Sequence, residues 1–180
     1  MIRLFVAIEL PGELRRRMEM IQAGIERARW VPEENIHLTL RFIGEVADDV
    51  AGDGAEALGT VRAAPFALTV DGAGHFESGK RVRALWLGVE RSEALMALRG
   101  RIESALVRAG LEPERRKFKP HITIARITDG SPGLARHWLA ANAMFRAVPF
   151  TVESFTLFSS QLGRDKAIHT AEAIFPLSAA

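Results

Sequence analysis

The chain contains no cysteine among its 180 residues. Disulfides, a thiolate metal site and a cysteine nucleophile are therefore excluded, and the absence fits a reducing compartment. Long hydrophobic runs are also missing. A membrane-spanning helix needs about 20 apolar residues in succession, and no segment approaches that length. The opening residues, MIRLFVAIELPGELRRR, hold a short apolar run followed by charge. They lack the longer apolar core and small-residue cleavage site of a secretory signal. A cytoplasmic protein with no membrane contact is expected. Lysine is scarce, at positions 80, 117, 119 and 166 only, and arginine makes up the rest of the 24 basic residues. A GC-rich genome accounts for most of that bias, although guanidinium also suits bidentate phosphate contacts. No acidic cluster has metal-ligand spacing, so neither a metal nor another cofactor is expected.

What is present reads as an ordinary globular chain. Apolar residues make up 48% and charged residues 26%, with a formal net charge of +2, which excludes disorder and fibrous repeats. The length suits one domain, or two small lobes sharing a core. Apolar runs and breakers predict a strand over 2–10, a helix over 13–28 and a strand over 36–43 closed by Gly44-Glu45. A weak helix over 47–62 and strands over 66–70 and 84–89 come next, with residues 71–81 as an exposed loop or long hairpin turn. Helical spacing over 92–109, with Ser92 as cap, is the clearest of all. A strand over 121–127, a helix opened by Ser131-Pro132, and strands over 150–158 and 168–174 complete the chain. The order resembles a duplicated unit. It predicts an α+β protein of two similar lobes, each an antiparallel sheet with helices packed outside, facing across a central cleft. Residues 1–180 are expected to form one two-lobed domain, and a monomer is expected.

Two stretches stand out, NIHLTLRF (35–42) and KPHITIAR (119–126). Side chains alternate faces along a strand. His37, Thr39 and Arg41 then share one face, opposite Ile36, Leu38, Leu40 and Phe42. His121 and Thr123 share a face opposite Ile122 and Ile124. Arg126 has the wrong parity and joins His121 only if the strand bends, with no Gly or Pro to mark a bend. Paired histidines suit phosphodiester cleavage, one as base for the attacking oxygen and one as acid for the leaving oxygen. An imidazole pKa near 6.5 makes both forms accessible at neutral pH. Hydroxyl and guanidinium groups would stabilise the extra charge of the transition state. One His-x-Thr strand is weak evidence, because a strand histidine is commonly structural. The same pair repeated 84 residues apart, at related places of two similar half-chains, is stronger.

The full set of RLFVAIELP, RWVPEENIHLTLRFIGEV, LWLGVE, FKPHITIAR, LFSSQLG and IFPL resembles the RNA 2′,3′-cyclic phosphodiesterases, also called 2′-5′ RNA ligases, of the two-histidine phosphoesterase superfamily. The resemblance spans nearly the whole chain. It implies metal-independent opening of a 2′,3′-cyclic phosphate at an RNA end to leave a 2′-phosphate. By the same resemblance His37 is the proton donor and His121 the proton acceptor, while Thr39, Thr123 and Arg126 bind phosphate. With an RNA 5′-hydroxyl as nucleophile the same chemistry joins two ends through a 2′-5′ linkage.

Arg41 is a candidate RNA contact or surface ion pair. Phe118 is a candidate for base stacking, with core packing as the alternative, and Phe5 carries the same ambiguity. His75 reads as a solvated loop residue and His137 as structural. His169 lacks the His-x-Thr spacing and is assigned nothing beyond substrate contact. Alternative functions are a phosphodiesterase of a small cyclic or 2′,5′-linked nucleotide, and a non-catalytic RNA-end binder.

Overall fold

A computed structural model describes residues 1–128 and 132–178, without the side chains of residues 132 and 134. Ten strands and four helices succeed one another as β1 (Ile2–Glu9), α1 (Gly12–Glu19), β2 (Ala28–Trp30), β3 (His37–Val46), α2 (Asp48–Leu58), β4 (Phe66–Leu68), β5 (Val70–Ser78), β6 (Arg81–Val89), α3 (Glu93–Arg108), β7 (His121–Ile127), α4 (Pro132–Asn142), β8 (Phe150–Val152), β9 (Ser154–Leu162) and β10 (Ala167–Pro176). They form two four-stranded antiparallel sheets, β10-β9-β1-β3 and β2-β7-β6-β5, with β4 and β8 paired separately. The α+β architecture of paired antiparallel sheets matches the sequence expectation. The sheets are not the two halves of the chain, however. The first joins β1 and β3 to β9 and β10 from the other end, and the second takes β2 from the first half.

Alternation explains the core. Leu4, Val6 and Ile8 of β1, Leu38 and Leu40 of β3, and Ile122 and Ile124 of β7 are buried in one cluster with Leu95, Leu98, Ile102 and Leu106 of α3. The spacing of those four on α3 places them on one helix face. Ser92 caps α3 as expected, its hydroxyl accepting the Leu95 N–H at 3.1 Å. The expected opening of α4 at Ser131 lies outside the described residues.

Three local expectations need correction. The first helix ends at Glu19 rather than continuing to 28. Past that point the Ile21 carbonyl accepts the Trp138 indole N–H at 2.9 Å, and the Gln22 amide donates to the Val31 carbonyl at 2.7 Å. The chain then turns through Gly24 at φ 86° and enters β2. Secondly, Gly44 does not close β3. It sits at φ 91° beside a bulge that skips Ile43, and the strand continues to Val46. Thirdly, the expected loop over 71–81 is mostly strand, because residues 73–78 of β5 pair along β6. Gly74 in it serves packing: a Cβ there would sit 2.2 Å from the Trp86 indole.

Candidate active site

β3 and β7 each carry one His-x-Thr pair into a single cleft between the sheets. The cleft encloses about 890 Å³ and is lined by His37, Thr39, Phe42, His121, Thr123 and Arg126, among others. His169 of β10 and Phe5 of β1 also line it.

Both strands carry the same irregularity, and it decides which side chains beyond each histidine enter the cleft. Opposite β1, Ala7 pairs with Thr39 and Val6 with Arg41, so Leu40 is an extra residue. Opposite β6, Trp86 pairs with Thr123 and Leu85 with Ala125, so Ile124 is extra. A bulge of one residue exchanges the two faces beyond it. Leu40 and Arg41 are therefore both buried, as are Ile124 and Ala125. Phe42 and Arg126, each five residues after its histidine, turn into the cleft. No Gly or Pro marks either bulge, so simple alternation put Arg126 on the wrong side.

The same bulge overturns the expectation that Arg41 reaches RNA. Arg41 is only 7% exposed. Its Nε donates to Glu103 of α3 at 2.6 Å, and its other nitrogens donate to the carbonyls of Phe42 and Glu112. Phe118 is likewise absent from the cleft. It packs against the core beneath the Arg99 guanidinium, 5.6 Å from its centroid. His75 lies on β5 paired with Glu77 at 2.7 Å, and His137 is exposed on α4.

The two histidines are held alike. His37 Nδ1 lies 2.7 Å from the Asn35 carbonyl, and His121 Nδ1 lies 2.6 Å from the Lys119 carbonyl, in each case two residues earlier. A carbonyl only accepts, so Nδ1 carries the proton and Nε2 is the unprotonated nitrogen of the neutral ring. The Thr39 hydroxyl, 3.0 Å away, donates to His37 Nε2. Aromatic rings from the same sheet brace each imidazole. Phe5 stacks on His37 at 4.8 Å, with Phe158 stacked behind Phe5 at 5.2 Å. Phe76 meets His121 edge-on at 4.7 Å, with Trp86 at 6.0 Å.

Burial holds the His37 pKa down at about 4, with the neighbouring His169 adding to the effect and the Asn35 carbonyl opposing it. Burial also lowers His121, again against its carbonyl partner, with Arg126 contributing. His169 is lowered by burial as well. It stands edge-on to His37 at 5.5 Å and to Phe5 at 4.9 Å. Asn35 anchors this corner by donating to the Ala167 carbonyl at 2.8 Å, and Lys166 pairs with Glu34. Among the described residues no three His, Asp or Glu side chains converge as a metal-ligand set.

Sequence reasoning passed over Phe42, Asn35 and the turn over 163–166 as cleft residues. Phe42 was hidden by parity. Asn35 enters with His37, two residues on, and the turn over 163–166 is brought to the site by the return of β9 and β10 to the first sheet, which no local pattern announces.

Residues 9–164 match the family model of the 2′-5′ RNA ligase superfamily. An RNA 2′,3′-cyclic phosphodiesterase of Thermotoga maritima is 36% identical over 167 residues, covering 89% of this chain and 88% of that protein. One from Escherichia coli is 33% identical and covers 93% and 92%. The crystal structure of E. coli LigT complexed with 3′-AMP superposes with a TM-score of 0.82 at 31% identity, covering 99% of both chains. The chain belongs to the 2′-5′ RNA ligase superfamily. No helix among the described residues is long and apolar enough to cross a membrane.

Proposed function

We propose that this chain hydrolyses 2′,3′-cyclic phosphate ends of RNA to 2′-phosphates, with His37 and His121 as paired general acid and base. The observation that carries the reading is the matched pair of Nδ1-anchored imidazoles, each with a threonine beside it, in one cleft. The activity named for the relatives from T. maritima and E. coli supports it. His121 Nε2 takes a proton from water as the water oxygen bonds to phosphorus. The bond from phosphorus to the 3′ oxygen breaks, and His37 Nε2 delivers a proton to that oxygen. The products are a 2′-phosphomonoester and a 3′-hydroxyl. Thr39, Thr123 and Arg126 hold the phosphate oxygens as their negative charge grows. Arg126 suits this role, having no ion-pair partner among the described residues. Each sheet supplies one histidine, so the chain works as one two-lobed unit. With an RNA 5′-hydroxyl in place of water, the same groups form a 2′-5′ linkage reversibly.

The test is a short RNA ending in a 2′,3′-cyclic phosphate, incubated with the protein in EDTA, with the product terminus identified. A 2′-phosphate is expected, because every group in the scheme is a side chain. An untouched end, or a 3′-phosphate, overturns the reading.

The depressed histidine pKa values make a separate prediction. The reactive form needs one imidazole neutral and the other protonated. In the free enzyme both pKa values lie below 6.5, with His37 at about 4. Activity therefore falls at high pH as the acid loses its proton, and at low pH as the base gains one. The kcat/KM maximum is expected between pH 4 and 6.5. A bound phosphodiester brings negative charge to the imidazoles and favours the imidazolium, so the kcat maximum lies at higher pH. A kcat/KM maximum above pH 7 contradicts this.

A further inference from the structure

We propose that Arg29 and Arg126 form a two-phosphate clamp, with Arg126 on the cyclic phosphate and Arg29 on the adjoining phosphodiester of the RNA. The proposal rests on the function given above and specifies its substrate as an oligonucleotide end rather than a mononucleotide.

β2 is only three residues long and forms the edge of the second sheet. Its register on β7 sets Arg29 directly opposite Arg126. In an antiparallel pair, residues so placed have Cβ atoms about 4.5–5.5 Å apart, and like charges there repel. Both side chains are exposed, and both line the cleft. Neither has a hydrogen-bond or ion-pair partner among the described residues. Arg3 and Arg164 also line the cleft, but only Arg29 and Arg126 are set opposite each other by strand pairing. Buried or bridged arginines such as Arg41 and Arg146 are instead paired, with Glu103 and with Asp71 and Glu90. The acidic side chain in the cleft lining, Asp165, belongs to the β9–β10 turn of the other sheet.

Two uncompensated cations held side by side by backbone pairing form a site for two adjacent negative charges. Consecutive phosphodiesters at an RNA end supply them. A 2′,3′-cyclic nucleoside monophosphate supplies one. Since Arg126 stands on the strand of His121 and Thr123, the cyclic phosphate falls to Arg126, and the next phosphate falls to Arg29 at the sheet edge. A planar fork of donors at each position also favours phosphate over a diffuse anion.

The experiment compares adenosine 2′,3′-cyclic phosphate with a dinucleotide that ends in the same group, using the wild type, Arg29→Gln and Arg29→Lys. Arg29→Gln is expected to raise KM for the dinucleotide relative to the mononucleotide by roughly tenfold, as loss of one charge-assisted phosphate contact would. The salt dependence of log kcat/KM on the dinucleotide should become shallower by about 0.7, the value for one phosphate on a single strand. Arg29→Lys keeps the charge and should recover part of both effects. If Arg29→Gln shifts the two substrates equally, or shifts neither, the clamp is wrong while the hydrolytic function stands. If the wild type opens neither cyclic phosphate, the proposed function itself fails.

Discussion

His37→Ala and His121→Ala are each expected to lower kcat on a 2′,3′-cyclic phosphate RNA end by about 10²–10⁴-fold. Each Nδ1 proton is committed to a backbone carbonyl two residues earlier. Each Nε2 is therefore the atom that the proposed scheme uses to move a proton, and no other imidazole described in the cleft has this arrangement. His169 lines the cleft but carries no carbonyl anchor among the described residues. Acid and base act in one displacement, so their losses should not add. The double variant should be scarcely slower than the worse single variant, as found for groups that work as a unit. Thermal melting of each variant separates lost chemistry from lost fold. Full turnover in either single variant, with the fold intact, sinks the paired acid–base scheme.

Arg41→Ala is expected to destabilise the protein by about 3 kcal/mol while leaving the cleft chemically complete. Arg41 is 7% exposed, and its partner Glu103 shows 16% side-chain exposure. Removing the guanidinium strands a carboxylate that also accepts the Glu114 amide at 2.8 Å. Arg99, 3.5 Å from the same carboxylate, offsets part of the loss. The carbonyls of Phe42 and Glu112 lose their donors too. For a chain of this size each kcal/mol shifts the Tm by about 2–4 °C, so a fall of roughly 6–12 °C is expected. The informative comparison is with Arg126→Ala, whose side chain is exposed and has no hydrogen-bond or ion-pair partner among the described residues. That change should cost activity with little change in Tm. If Arg41→Ala instead lost activity at unchanged Tm, the assignment of Arg41 to the scaffold would be wrong.

These two arginines show where reading the chain residue by residue succeeds and fails. His37 with Thr39 and His121 with Thr123 are predicted by alternation, because each pair lies before its bulge. Arg41 and Arg126 lie beyond it. Alternation placed Arg41 in the cleft and Arg126 outside, and both assignments are reversed. Phe118, adjacent in sequence to the second histidine stretch, went to the core because the chain before β7 runs along α3 rather than along the cleft.

The local pattern of apolar and polar residues was enough to define α3 and its cap, the buried stripes of β1, β3 and β7, and the two His-x-Thr faces, since each depends on neighbours a few positions apart. Tertiary structure alone decided the bulges at Leu40 and Ile124, the early end of α1 and the strand character of β5. It also brought β9 and β10 back to β1, and His169 to His37. The physical reason is common to all of them. A bulge exists only relative to the partner strand, the segment after α1 is held by the distant Trp138 indole, and Gly74 makes sense only beneath the Trp86 indole that crosses it.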